Sequence, residues 1–106
     1  MATEKEAKLV EQLLDKTRKH ILSWEPTAVE DEFLAPFGGQ VLFTIRSRPN
    51  GVLLLMKGID GRLLLTVDSR DLDEVSQLYA EARRQAWHAE DALDDVLERL
   101  TKLDRR

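Results

Sequence analysis

The side chains best suited to acid–base or metal chemistry gather in one short stretch. His88, Asp91 and Asp95 follow at steps of three and four, which sets them on one stripe of a helix, with Ala92 or Glu98 adjoining. An imidazole and two carboxylates could contribute to a divalent-cation site. The same residues also suit a solvated acidic face laced by Asp95–Arg99 and Glu98–Lys102 pairs four residues apart. Metal sites in helical proteins usually draw ligands from several elements. The solvated face is therefore the expected reading, and no metal or cofactor is expected.

Other routes to catalysis have less to stand on. None of Ser23, Ser47, Ser69 and Ser76 lies in a nucleophile-elbow context. Gly38-Gly39 and Asn50-Gly51 lack the phosphate-loop pattern. Glu30, Asp31 and Glu32 are adjacent, so strand alternation would point them apart. His20 lies at the basic end of a first helix and reads as a capping or surface residue. There are no cysteines, which removes thiolate nucleophiles, disulfides and Cys-ligated metals. The expectation is a non-enzymatic protein.

Arg46, Arg48, Lys57, Arg62 and Arg70 form the one basic concentration. If Arg46 and Lys57 share the sheet face opposite the core, they could hold an anionic ligand or nucleic acid. Interleaved exposed aromatics, which single-strand binders use for stacking, are missing. Charge is segregated along the chain: residues 1–22 carry five bases and four acids, 23–38 four acids and no base, 39–70 five bases and two acids, and 71–106 six bases and ten acids. The basic segment thus has acidic counterparts at hand in Glu30–Glu32 or in a partner's C-terminal helix. Nucleic-acid binding is the weaker expectation.

The elements that position these groups follow from periodicity. Residues 4–22 read as a helix with Leu9, Val10, Leu13, Leu14, Thr17 and Ile21 on one side, opened by a Thr3–Glu6 capping box and stopped before Pro26. Trp24 anchors the exit. Residues 27–37 read either as an irregular loop or as an edge strand, the edge being favoured by Pro36. Gln40–Arg46 alternates cleanly, the turn Arg48–Gly51 follows, and strands over Val52–Lys57 and Arg62–Val67 flank Asp60-Gly61. The last two strands are apolar on both faces, so the second face needs cover from a partner subunit.

From Asp71 to Leu103 there is no glycine or proline. Apolar residues keep a heptad seam through Leu72, Val75, Tyr79, Ala82, Ala86, Ala89, Leu93, Val96, Leu100 and Leu103. Asp71 with Glu74 reads as the capping box of one long helix. Such a helix would run about 50 Å, against a radius of gyration of about 13 Å for a domain of this size. Arg83-Arg84 and the small residues around it suit close helix approach, and Trp87 is either an exposed anchor or a packing residue. The fold class is α+β: an N-terminal helix, a three- or four-stranded antiparallel meander and a long C-terminal helix, in a single domain over 1–106.

The order Leu-Leu-x-Lys-Thr (Leu13–Thr17), Trp24-Glu25-x-Thr27, meander sheet, Leu78-Tyr79-x-x-Ala82-Arg83-Arg84 and Ala92-Leu93-Asp94-Asp95-x-Leu97 resembles a group of small bacterial proteins with no assigned function. The resemblance covers most of the chain and implies a fold and a bacterial origin. A looser, purely topological similarity is to dimeric nucleoid-associated proteins of the helix, three-strand, helix type, and topology does not carry function.

The expected function is a protein-interaction module, an adaptor or regulator, acting as a homodimer. Its interface residues would be Trp87, Leu93, Val96, Leu97, Leu100 and Leu103. A nucleoid-type DNA or RNA binder using Arg46, Arg48, Lys57 and Arg62 is one alternative, and a small metal- or ligand-binding protein is the other. The longest apolar run, Val52–Met56, is far short of a membrane span. With no basic, apolar leader at the N-terminus, the cytoplasm is expected.

Overall fold

The computed structural model describes residues 2–87 and 89–103, with side chains described for all of these except 89–92. Helix α1 spans Glu4–Arg18, and the Thr3 hydroxyl accepts from the Glu6 amide at 3.1 Å, the first half of the capping box. The helix ends before the expected Leu22. His20 takes a left-handed φ of +59°. Its amide donates to Thr17 O, and the Ile21 amide reaches back to Lys16 O. This is a Schellman closure with histidine in the position glycine usually fills, so the chain turns well before Pro26.

The sheet has five strands rather than three or four: β1 (Glu25–Pro26), β2 (Glu32–Phe37), β3 (Val41–Arg48), β4 (Gly51–Gly58) and β5 (Leu63–Asp68), all antiparallel in sequence order. The stretch 27–37 resolves into a turn and the strand β2. Asp31 adopts φ +58° in that turn, a conformation aspartate tolerates better than most residues. β1 pairs only with Phe33 and Leu34. Pro36 therefore sits where β2 has no outer neighbour among the described strands, and its missing donor costs no ladder bond. Gly38 and Gly39, with φ +65° and +74°, turn the chain into β3.

Register sorts the side chains onto two faces. Phe33 stands opposite Ile45, Ile45 opposite Leu54, and Leu54 opposite Val67. This row joins Val10, Leu13 and Leu14 of α1 in a single core. Helix α2 (Glu74–Trp87) adds Val75, Leu78, Ala82 and Ala86, all nearly sealed from solvent. It begins three residues later than the expected Asp71, because the Asp68 carbonyl accepts from both Asp71 and Leu72 amides and holds that segment as a turn. Ser69 ties the turn to the sheet by accepting from the Val52 amide at 2.9 Å.

The other face carries Leu34, Leu42, Thr44, Arg46, Leu53, Leu55 and Lys57 by the same alternation. Leu55 is almost fully buried by its sheet neighbours yet lies outside the core cluster. Both helices of the core pack on the opposite side.

Helix α3 (Ala89–Leu103) follows α2 across position 88. The molecule measures 60 × 28 × 26 Å with a radius of gyration of 16.4 Å, longer than a compact chain of this size. The C-terminal arm accounts for the elongation. Among the described residues, no helix is long and apolar enough to cross a membrane.

Candidate interaction surface

The residues of the Lys-Thr, Trp-Glu and Leu-Tyr-x-x-Ala-Arg-Arg segments converge at the junction of α1, β1 and α2. The Trp24 ring is buried, and its Nε1 donates to the Thr17 hydroxyl at 2.9 Å. That hydroxyl in turn donates to Leu13 O at 2.7 Å. The Trp24 amide donates to Gln85 Oε1 of α2. This relay fastens the chain leaving α1 to both helices, and its buried Trp24 Nε1 and Thr17 hydroxyl are both hydrogen-bonded.

Next to the relay, Phe33 is the centre of an aromatic cluster. Tyr79 lies 5.7 Å from it and Trp87 meets it edge-on at 5.8 Å. The Arg83 guanidinium sits over the Trp87 ring at 4.3 Å. Trp87 is nevertheless 46% exposed, so it packs on the sheet by one edge and offers the rest of its ring to solvent. Burial, and then the charge of Asp31, push the Tyr79 hydroxyl above the usual tyrosine pKa; Arg83 and a hydrogen bond with Ser47 oppose this.

The basic residues are largely matched within the chain. Arg46 Nε lies 3.4 Å from Glu32 Oε2. Arg70 bonds Asp68 at 3.0 Å and Arg62 reaches Asp60 at 3.9 Å. The Arg70 guanidinium holds the Asp68 carboxyl below the ordinary aspartate pKa. The Arg46 Nε is itself buried without a hydrogen-bond partner. Among the described residues no ion pair takes up Arg48 or Lys57. They stand at opposite ends of the open face, beside Gly51 and Leu42 respectively. A cleft beside Arg48, Asn50, Asp68 and Arg70 holds only ≈ 50 Å³, against at least about 300 Å³ for a typical ligand pocket.

His88 lies outside the described residues, as does the side chain of Asp91. Asp95 pairs with Arg99 and Glu98 with Lys102, both at 3.2 Å, as the helical spacing predicts. Among the described residues no group of three or more His, Asp or Glu is placed to hold a metal ion.

The largest uncovered apolar surface is on α3. Leu93, Val96, Leu97, Leu100 and Leu103 are each at least half exposed, from 50% to 64%. At 100° per residue they span about 120° of the helix circumference, wider than the narrow a/d seam of a two-stranded coiled coil. The paired charges occupy the opposite side. Compared with protein-family models, curated proteins and solved structures, the chain matches none. The relay of Thr17, Trp24 and Gln85 was out of reach of the sequence, since Gln85 lies 61 residues from Trp24. The signal present was the pairing of a lone apolar-side threonine with a tryptophan seven residues on.

Proposed function

We propose that this chain is a non-enzymatic protein-interaction module of the cytoplasm that works as a homodimer, binding through the α3 stripe with Trp87 at its root. The observation that carries the reading is the exposure of Leu93, Val96, Leu97, Leu100 and Leu103 along one side of a helix. A contiguous apolar stripe on a projecting element marks an association surface. The ion pairs spent on Arg46, Arg62 and Arg70 weigh against a nucleic-acid role, which requires free cations to displace counterions from phosphates.

Light scattering over a concentration series tests the reading. A dimer is expected, and Leu93→Glu combined with Leu100→Glu should return a folded monomer with unchanged helix content. A wild-type monomer at high concentration would refute it.

A further inference from the structure

Two uncovered surfaces of this chain fit one another. The first is the open face of the sheet, where Leu34, Leu42 and Leu53 are half-buried around Thr44 and Leu55, and Leu63, opposite Lys57, is 53% exposed. The second is the α3 stripe. Strands β3 and β4 have eight residues each, so the face is about 26 Å long. α3 has fifteen residues, about 22 Å of helix. Length therefore matches length.

Charge matches as well. By register the open face carries Arg46, Arg48 and Lys57 against Glu32 and Asp68, a net positive charge; residues 89–103 carry five acids and two bases. Lys57 stands at one end of the apolar strip without an ion pair among the described residues, and Arg48 stands at the other, where its charge also acts on Asp68. Pairing α3 with another α3 would instead bring two acidic helices together. It would also leave part of a stripe about 120° wide uncovered, because Leu97 lies beside the a/d seam and not within it.

The occupant cannot be the chain's own α3. α2 packs on the core face, and a single residue separates α2 from α3. One residue reaches at most about 3.6 Å, whereas passing around the sheet edge to its far side must clear a layer about 10 Å thick. A second copy has no such restraint.

We propose that the open face of the sheet receives α3 of a second copy, each copy lending its arm and accepting the other's in a reciprocal two-fold dimer. This rests on the homodimer reading above and specifies which surfaces meet. An isologous exchange of this kind closes on itself and leaves no further arm to recruit a third chain.

The native chain has no cysteine, so engineered thiols report the contact without background. Thr66 is exposed and stands opposite Leu55 on the open face. Thr66→Cys chains mixed with Leu97→Cys chains should form a disulfide-linked heterodimer on mild oxidation, while Leu97→Cys alone should stay uncrosslinked. Lys57→Glu should weaken dimerisation by up to about fivefold, the upper range for a partly exposed pair, with circular dichroism unchanged. A dimer in which Leu97→Cys crosslinks to itself, or in which no sheet–helix crosslink forms, overturns the exchange and leaves the homodimer standing. A monomer overturns both.

Discussion

Helices α2 and α3 are neighbours of nearly equal length, and both carry one apolar side, yet they meet opposite fates. α2 buries Val75, Leu78, Ala82 and Ala86 to 7% exposure or less, while α3 leaves every large apolar side chain from Leu93 to Leu103 at 50% or more. Their sequences differ in one respect that explains this. The α2 stripe mixes small residues with large ones, so its backbone can approach the sheet closely. The α3 stripe is all Leu and Val after Ala92, which suits a broad apolar surface. An amphipathic period therefore states that a helix needs a partner, without stating that the partner belongs to the same chain.

The sharpest way to break this comparison is to make the same change on both helices. Leu78→Ala removes a fully buried side chain and should cost about 2–5 kcal/mol of folding stability. Leu97→Ala, measured by urea unfolding at concentrations dilute enough for a monomer, should move stability by no more than about 0.5 kcal/mol. Equal losses would mean that α3 is packed within its own chain, and the distinction between the helices would fall.

The next effect tests what seats the body that α2 completes. Thr17→Val keeps the shape of the side chain but deprives Trp24 Nε1 of its acceptor in a buried setting. A loss of about 1–3 kcal/mol is expected, together with a shifted tryptophan emission. A neutral result would mean that the relay is incidental to the docking of α1 on α2.

A smaller effect of opposite sign is expected at the end of α1. His20 holds a left-handed conformation that costs a side-chain-bearing residue about 1–2 kcal/mol, partly offset in glycine by its greater chain entropy. His20→Gly should therefore stabilise the fold by about 0.5–1 kcal/mol, and His20→Ala should not. Such a gain would show that the body carries local strain at its turn while its core is well packed.

What was legible in the sequence follows the same division. The alternation in β3, and the apolar runs bounded by turn residues in β4 and β5, placed those strands to within a residue or two. The strand β2 was harder: Pro36 favoured an edge strand over an irregular loop without deciding between them, and the two-residue β1 that lies outside β2 is too short to show a period. The end of α1 at His20 escaped because histidine is an uncommon left-handed cap. The heptad seam from Leu72 to Leu103 ran unbroken through the sequence, and only packing could separate its covered half from its bare half. The exposed residues Leu93, Val96, Leu97, Leu100 and Leu103 were legible as interface candidates from spacing alone. The proposed receiving face was legible as a need for cover and as a face that Arg46 and Lys57 would share if the strands alternate; the register makes that condition good.

The smallest effect is a titration, and it probes the contact of α2 with Phe33 of the sheet. Tyr79 is the sole tyrosine, so ultraviolet absorbance reads its ionisation without overlap from others. Its pKa lies above the ordinary value of about 10, raised first by burial against the sheet and then by the Asp31 carboxylate. The folded state thus holds the proton more tightly than the unfolded chain does. The resulting stability is fully present below pH 10 and is lost as pH rises through the raised value. Asp31→Asn, which keeps a residue tolerant of the left-handed turn, should lower the Tyr79 pKa only part of the way to the unfolded value, since burial remains the larger cause. Complete return to the ordinary value would mean that the Asp31 carboxylate, and not burial, raises the Tyr79 pKa.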